Sequence, residues 1–449
     1  MHQNIRPLFL FVYIFSMVMI SCHEDSDTIP PSPISNEDKE LPAQWADVTL
    51  RIIQNSFPGS PTYTSRSLGY IGLTMYECVV HGSTTHQSVA GQLNGLNALP
   101  LPGAEPYNWK LVLNAGQATI LRKLYPHTWT PELIDALETT TLEKEKLNTA
   151  TTTVERSVLY GQAVADAIFT WATQDGGHEG YLHHFDPEYE FPAGPGYWTP
   201  PIAGQSASPF PLHPYWGNNR TFLTANSTLP IPTKPAYSAD PGSLYYQYFY
   251  QVYYKRNNLT DDEKRIAAWW ADDPTQTASP PGHSYNLATI VITSQQADLF
   301  TAAEAYAKTG LAVADAFINC WKCKYTYHSE RPFPYIRENI DEDYYSFWPE
   351  PPFPAFSSGH ATQSAAAALA LMSVFNNETP FVDNTYEFRQ PDFQNIEYRS
   401  RIFYSIWATA EECAYSRFLG GIHTRLDNEA GTEQGKIIGT NVAALNWKQ

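Results

Sequence analysis

The stretch SRFLGGIHTRLD, residues 416–427, decides what the C-terminal part of the chain can form. The glycine pair in its middle predicts a junction between two helices, because glycine readily ends one helix and opens the turn before the next. Across such a junction the spacing can aim Arg417 and His423 at one point. Asp427 lies one helical turn past His423, so it can accept one imidazole N–H while the other nitrogen faces a ligand. The stretch therefore predicts one wall of an oxyanion pocket.

Two groups of residues upstream supply the other parts of such a pocket. Lys324 and Arg331 provide cations that can neutralise a tetrahedral or trigonal-bipyramidal oxyanion. Ser358, Gly359 and His360 open a strongly helical, alanine-rich run. The first turn of a helix has unpaired N–H groups and a dipole that favours anions. These residues predict an anion held between cations and a helix start.

In this order, the three motifs resemble the signature of the vanadium-dependent haloperoxidases and of the related type 2 phosphatidic acid phosphatases. One departure is visible, because Ser357 stands where the family usually has proline before the Ser-Gly-His motif. Proline would mainly stiffen the loop, so the departure concerns the loop more than the chemistry. The motifs are Lys324-x6-Arg331-Pro332, Ser358-Gly359-His360 and Ser416-Arg417-x5-His423-x3-Asp427.

The resemblance implies a vanadate cofactor, with one bond from His423 to vanadium and with Asp427 holding the required tautomer. It implies that His360 acts as acid or base at the apical oxygen. Hydrogen peroxide would then form a peroxovanadate that Lys324 polarises, and attack by halide would release hypohalous acid. The catalytic set is therefore His360, Lys324, His423 and Asp427. The groups assigned to vanadate are Lys324, Arg331, Ser358, Gly359, His360, Arg417 and His423.

Within the family, the layout is most similar to the iodide-selective bacterial branch, which makes iodide the favoured halide and small organic molecules the acceptors. Trp321 precedes Lys324 and Phe353 precedes the Ser-Gly-His motif, and both are predicted to line the pocket entrance. Asp273 has two interpretations. The resemblance makes it an acid that pairs with the cations, whereas its place before Pro274 is equally typical of a residue that only caps a turn.

Two other functions remain open. The same pocket accepts phosphate, so the chain could be an acid phosphatase with His423 as the nucleophile and His360 protonating the leaving alcohol. The third hypothesis is a surface lipoprotein that keeps the fold but only binds an oxyanion or a partner protein. The presence of both histidines argues against that third hypothesis.

Charge and length limit the possible partners. The chain has 449 residues and a formal net charge of −18 at pH 7, with a pI of about 5.1. Nucleic acids and anionic lipids both require a basic surface, so neither is expected as a partner. The cations of the predicted pocket must form a local, buried cluster.

The N-terminus predicts export. Residues 1–22 combine a basic start, an apolar stretch and a small-residue site before Cys22, which resembles a bacterial lipoprotein signal. An ordinary secretory peptide cut elsewhere is the alternative. We expect a location in the bacterial cell envelope, as an outer-membrane lipoprotein or a periplasmic or secreted protein, with membrane contact only through a lipid on Cys22. Residues 23–40 predict a flexible tether.

Helical periodicity recurs through the rest of the chain and predicts an all-α protein: two helical bundles of the vanadium haloperoxidase type with long irregular connections. One domain, 41–449, would contain a first bundle (41–175), an irregular segment (176–244) and a second bundle with the active site (245–449). Cys320 and Cys323 lack the second pair of a zinc site, and predict either packing or an oxidised pair. The helices predicted in the second bundle start at Tyr245 and include 261–271, 285–319, 358–375, 396–418 and 425–445.

Overall fold

The computed structural model describes residues 40–56, 59–201, 204, 208–274, 276–387, 389–390 and 395–449. Over this part the chain forms fourteen α-helices and one two-stranded sheet, which confirms the predicted all-α class. The predicted signal peptide, the Cys22 anchor and the tether up to residue 39 lie outside the described residues and stay predictions. No helix in the described ranges has both the length and the apolar character needed to cross a bilayer.

Two helices of the N-terminal part, α3 (Trp109–Leu124) and α5 (Thr151–Ala172), pack on a long buried helix, α2 (Pro61–Val79). Every residue of α2 is buried, and Ser60 caps its start by accepting the N–H of Tyr63 at 3.3 Å. Helix α2 packs along α10 (Leu299–Tyr327) of the C-terminal part, so one apolar core runs through both parts. The bounds are α1 (Leu41–Gln54), α2 (Pro61–Val79), α3 (Trp109–Leu124), α4 (Glu132–Glu145), α5 (Thr151–Ala172) and α6 (Thr224–Ser227).

The C-terminal part contains eight helices and the sheet, whose strands β1 (Phe381–Asp383) and β2 (Arg401–Phe403) pair antiparallel with Val382 opposite Ile402. The division into two bundles joined by an irregular segment stays a prediction. The helices are α7 (Leu244–Arg256), α8 (Asp261–Trp269), α9 (Ser279–Ser294), α10 (Leu299–Tyr327), α11 (Pro332–Asn339), α12 (Gly359–Met372), α13 (Ile406–Leu419) and α14 (Arg425–Ala443).

The single helix predicted over 285–319 is wrong, because the structure divides this stretch between α9 and α10. The side chain of Asp298 accepts the N–H of Thr301 at 2.8 Å and so caps the start of α10. An N-cap residue has extended rather than helical backbone angles, which ends the continuity of the periodic pattern. Helix α10 then extends eight residues beyond the predicted end, to Tyr327.

The helix predicted over 396–418 is also wrong in its first part. Residues 401–403 form strand β2, and α13 begins only at Ile406. Ser405 accepts the N–H of Ala408 at 3.2 Å, which makes Ser405 the N-cap of α13. The predicted helix includes Ile402 and Phe403 because they are apolar. Their backbone groups instead pair with strand β1, so they cannot form helical hydrogen bonds.

A stripe of three glycines brings α14 against α12. A Cβ atom at Gly431, Gly435 or Gly439 would lie 2.7, 2.2 or 2.6 Å from a backbone oxygen of residue 358, 362 or 366, respectively. Only glycine allows the two backbones to approach so closely. The stripe therefore fixes the start of α12 next to the start of α14, where the motif residues lie.

Candidate active site

The predicted pocket residues come together because each lies near the end of a helix. Lys324 is in the last turn of α10, and Arg331 precedes α11. Ser358 precedes α12, while Arg417 is in the last turn of α13. His423 lies in the turn before α14. Helix ends carry unpaired backbone groups, so a pocket formed there has donors and acceptors in addition to its side chains.

His423 is buried and has a partner on each ring nitrogen. Its Nε2 accepts a hydrogen bond from Nη1 of Arg331 at 3.0 Å, since a guanidinium can only donate. Its Nδ1 therefore carries the hydrogen and donates to Oδ2 of Asp427 at 3.1 Å. Burial, together with Arg331, Lys324, Arg417 and a second histidine, holds the pKa of His423 well below its ordinary value. The imidazole is thus neutral, with the Nε2 lone pair facing the cations.

Asp427 is fixed by the start of α14. Its carboxylate accepts the N–H of Thr424 at 2.8 Å, and the hydroxyl of Thr424 accepts the N–H of Asp427 at 3.2 Å. This is a capping box, which satisfies two backbone donors reciprocally. The same carboxylate that caps the helix orients His423. The predicted pairing of His423 and Asp427 is thus present in the geometry.

Lys324 is fully buried and uses all three ammonium hydrogens on the loop before α12. Its Nζ donates to the carbonyls of Pro354, Ala355 and Ser357 at 2.8, 2.7 and 2.6 Å. Burial lowers the pKa of Lys324 to about 8, so the ammonium form predominates at pH 7. Lys324 therefore organises the loop, and it can reach an anion only by exchanging one of these carbonyls.

Arg331 links the same loop to His423. Besides its contact with His423, it donates through Nη1 to the carbonyl of Ile422 at 2.9 Å, and through Nε and Nη2 to that of Phe353 at 3.1 and 3.0 Å. Burial lowers the pKa of Arg331 to about 10, which leaves it charged at neutral pH. The Arg331 N–H that donates to Nε2 of His423 can donate to a bound anion instead.

Within the described part of the chain, Arg417 and His360 each contain a buried polar atom without a hydrogen-bond partner, Nε of Arg417 and Nε2 of His360. Nη1 of Arg417 donates to the carbonyl of Trp270 at 2.8 Å. Burial and then Arg417 hold the pKa of His360 well below its ordinary value, so this imidazole is neutral. Buried polar groups normally have partners. A donor on Arg417 and a nitrogen on a neutral histidine are thus available to a bound group.

The start of α12 contributes two more donors. Ser358 caps the helix by accepting the N–H of Ala361 at 3.4 Å, and its own N–H bonds to the carbonyl of Asp427 at 3.0 Å. Its hydroxyl hydrogen and the N–H of Gly359, in the first turn, have no partner within the helix. A Cβ on Gly359 would meet Trp321 only at 3.6 Å, an ordinary contact distance. Gly431, Gly435 and Gly439 are required because two helices pack closely there. Gly359 has no such close packing, so packing does not explain why this residue is glycine.

Asp273 combines the two interpretations drawn from the sequence. Its carbonyl accepts the N–H groups of Gln276 and Thr277 at 3.3 and 3.1 Å, which forms the turn. Its carboxylate accepts a long hydrogen bond from Nε1 of Trp348 at 3.4 Å and interacts electrostatically with Arg417. Burial raises the pKa of Asp273 to about 6, against the opposing effect of Arg417. With that pKa the carboxylate is mostly ionised at pH 7, beside the guanidinium of Arg417.

Trp321 lies behind the pocket rather than at an entrance. Its side chain is fully buried, and its Nε1 donates to the carbonyl of Leu212 at 3.2 Å. The Phe353 ring packs on it at 4.9 Å between centroids, and the ammonium of Lys324 lies 5.2 Å from the Phe353 centroid. Phe353 is partly exposed. The two rings form an apolar wall under Lys324, and of the pair only Phe353 reaches the surface.

Sequence reasoning missed several contributors to the site. Thr424 could have been found, because Thr-x-x-Asp before a helix is a capping-box pattern. The carbonyls of Trp270, Phe353 and Ile422 carry no sequence signal, since any residue supplies a carbonyl. Ser416, quoted in the motif, donates to the carbonyl of Cys413 at 2.6 Å within its own helix. Its hydroxyl is therefore engaged away from the pocket.

The cysteines support the packing interpretation. Cys320 and Cys323 are free and buried, as are Cys78 and Cys413. The thiol of Cys320 lies 3.4 Å from the carbonyl of Ser357, in the loop that Lys324 also holds. Across the described ranges, no group of three or more His, Cys, Asp or Glu side chains could hold a metal ion. The pocket is a set of cations and neutral histidines, which suits an oxyanion rather than a bare cation.

Comparisons with known proteins agree with this geometry. Residues 304–448 match the family model described as the VCPO second helical-bundle domain. The crystal structure of a protein described as the first bacterial vanadium-dependent iodoperoxidase superposes with a TM-score of 0.79 and 29% identity, covering 93% of this chain and 98% of that one. No curated protein sequence gives a significant match.

Two structures of a bacterial vanadium-dependent chloroperoxidase share the fold at lower identity. The holo form has a TM-score of 0.66 and 16% identity, with 92% of this chain and 98% of that chain covered. The apo form has a TM-score of 0.69, also 16% identity, with coverage of 90% and 97%. These similarities confirm the resemblance stated from the motifs: the chain has the fold of the vanadium haloperoxidases and is similar to the bacterial iodoperoxidase over nearly its whole length.

Proposed function

We propose that this relative of the vanadium haloperoxidases uses vanadate and hydrogen peroxide to oxidise halide to hypohalous acid, with iodide as the preferred halide. The observation that carries the proposal is the pocket around His423. A neutral imidazole there presents a lone pair toward three buried cations, while a carboxylate holds its other nitrogen. That combination suits a highly charged oxyanion that also needs one nitrogen ligand.

The residues present fit vanadate. His423 would provide the nitrogen ligand through Nε2, and Arg331, Arg417 and Lys324 would neutralise the oxygens. The unpartnered Nε of Arg417 and the N–H of Gly359 are donors suited to those oxygens. When bound, vanadate would supply a Lewis-acidic centre that activates hydrogen peroxide toward attack by halide.

The residues of the chain would manage protons and orientation. Asp427 keeps the hydrogen of His423 on Nδ1, so that the Nε2 lone pair stays available. His360 is neutral and its Nε2 is unpartnered, so it can take a proton from hydrogen peroxide as the peroxide enters. The same nitrogen, once protonated, can return the proton to the leaving oxygen. Burial in a low dielectric strengthens the hold of the cations on the anion.

The preference for iodide has narrower support than the reaction class. It rests on the 29% identity to the bacterial iodoperoxidase over nearly the full length of both chains. The chloroperoxidase structures share only the fold, at 16% identity. A comparison of chloride, bromide and iodide at equal concentration tests this preference. Equal or faster oxidation of chloride would reject it.

The acid phosphatase remains the second candidate, because a neutral histidine held by a carboxylate and surrounded by cations also suits attack on phosphorus. The deciding experiment uses the purified soluble chain, stripped with chelator and assayed with peroxide and iodide, with and without orthovanadate. Aryl-phosphate hydrolysis is measured in parallel. Vanadate-dependent iodide oxidation supports the peroxidase. Rapid phosphate release that vanadate inhibits, with negligible iodide turnover, would replace it with the phosphatase.

A further inference from the structure

A second buried histidine, His283 on α9, lies between two carboxylates outside the anion pocket. Its Nδ1 is 3.1 Å from both carboxylate oxygens of Asp272, and its Nε2 is 3.0 Å from Oδ2 of Asp383. An ionised carboxylate only accepts hydrogen bonds, so both ring nitrogens carry hydrogens and the ring is an imidazolium. Burial alone would lower the pKa of His283, but the two aspartates raise it to about 10.

The groups packed around this histidine complete its hydrogen bonds. Nε1 of Trp269 donates to Asp383 at 2.7 Å, and the hydroxyl of Tyr386 donates to Asp272. The hydroxyl of Thr385 also donates to Asp383. The indole of Trp270 stacks on the imidazolium with centroids 4.5 Å apart and an angle of 23°. Electrostatic effects cross from this cluster to four titratable groups, which are His360, Arg417, Asp273 and Cys413.

The segment 269–273 joins this cluster to the anion pocket. On one side, its tryptophan rings and the carboxylate of Asp272 contact His283 or its partner. On the other side, the carbonyl of Trp270 accepts a hydrogen bond from Arg417 at 2.8 Å. The backbone of Trp270 and Ala271 also raises the pKa of His360, against the larger effect of burial, so the segment lies beside that ring. Asp272 has a φ of 52°, a left-handed conformation that a residue other than glycine adopts only where its surroundings hold it.

We propose that His283 is a positioning residue of the anion pocket: held between Asp272 and Asp383, it fixes the Trp270–Asp273 turn, whose Trp270 carbonyl orients Arg417 beside His360. It touches neither the anion nor a reacting atom. The inference rests on the proposed function, because it assigns a role within the same pocket. Groups that orient ligands are commonly worth tenfold to a hundredfold in affinity.

The test compares His283→Gln with a matched control, His86→Gln. His86 is also buried and pairs with Glu304 at 3.2 Å. Its ring further contacts the side chains of Ser83, Thr85, Lys448, Tyr76 and Phe300, none of which belongs to the pocket. Orthovanadate affinity of the stripped full-length protein is measured by calorimetry, beside the thermal midpoint. We expect about a tenfold rise in Kd for His283→Gln and a change below about twofold for His86→Gln.

Two further results keep the test decisive. If wild-type protein binds no orthovanadate, the proposed function fails by itself. If wild type binds and His283→Gln binds equally well, the positioning role is rejected while the proposed function stands. Should His283→Gln fail to fold, Tyr386→Phe replaces it, since it removes only the hydroxyl that donates to Asp272. We expect its Kd to rise about threefold, with Tyr306→Phe, whose hydroxyl bonds to Thr289, unchanged; equal Kd values would overturn the proposal.

Discussion

His423 and His283 are both buried and both contact a carboxylate, yet the His423 ring is neutral and the His283 ring is positively charged. The neighbours of His423 include three cations, so its pKa lies well below the ordinary value and the ring is neutral. His283 contacts two carboxylates and, among the described residues, no cation, and its pKa is raised to about 10. Burial penalises the charged form at both sites. The sign of the surrounding charge therefore decides which histidine offers a lone pair to a ligand and which forms ion pairs with two carboxylates.

The largest expected effect comes from removing the lone pair. We expect His423→Ala to lower vanadate-dependent iodide oxidation by about a thousandfold, because the anion loses its nitrogen ligand. Initial rates at saturating orthovanadate are the measurement. His213→Ala is the control, since His213 is equally buried but bonds to Thr62 and the carbonyl of Gly180. Comparable losses in both variants would mean that His423 has no special role.

The ion pairs of His283 with Asp272 and Asp383 are expected to stabilise the folded protein. Asp383→Ala leaves the imidazolium of His283 with one carboxylate and leaves Nε1 of Trp269 without its acceptor. Breaking a buried ion pair in this way costs about 3 kcal/mol. Urea unfolding measures the free energy of unfolding at pH 7. A loss below about 0.5 kcal/mol, as is usual for surface substitutions, would show that the two carboxylates do not stabilise a buried charge.

A smaller loss of orthovanadate binding should follow when Asp427, the partner of His423, is replaced by an uncharged residue of the same shape. Asp427→Asn removes the charge that favours hydrogen on Nδ1, and we expect orthovanadate affinity to fall tenfold to a hundredfold. Calorimetric Kd values provide the check. The matched control is Asp315→Asn, another buried carboxylate, which accepts from the backbone of Phe222 and Leu223 away from the pocket. An unchanged Kd in Asp427→Asn would remove Asp427 from the site.

The sequence was informative where chemistry depends on side chains at short spacing. His423 and Asp427, one helical turn apart, lie in contact as their spacing predicts. Periodicity failed where a local hydrogen bond overrides it, as at the Asp298 and Ser405 caps. The three carbonyls that accept from Lys324 and the role of the Trp270–Asp273 turn could not be predicted, because every residue type has the same backbone groups. His283 was equally hidden, since its partners are 11 and 100 residues away.

The smallest effect concerns how stability depends on pH. The pKa of His283 is about 10 in the folded chain and about 6.5 in an unfolded chain. Its stabilising contribution is therefore complete below about pH 6.5 and is lost as pH rises toward 10. Between these limits the folded state binds one more proton, so stability should fall by at most about 1.4 kcal/mol per pH unit.

Lys324 opposes this trend at higher pH, because burial lowers its pKa to about 8 and the unfolded chain then binds the extra proton. Subtracting the unfolding free energy of His283→Gln from that of wild type, at each pH, removes the contribution of Lys324 and of the other groups on which His283 has no electrostatic effect. We expect this difference to decrease steadily from pH 7 to pH 9. A flat difference would mean that His283 is neutral like His423, and the contrast between the two histidines would disappear.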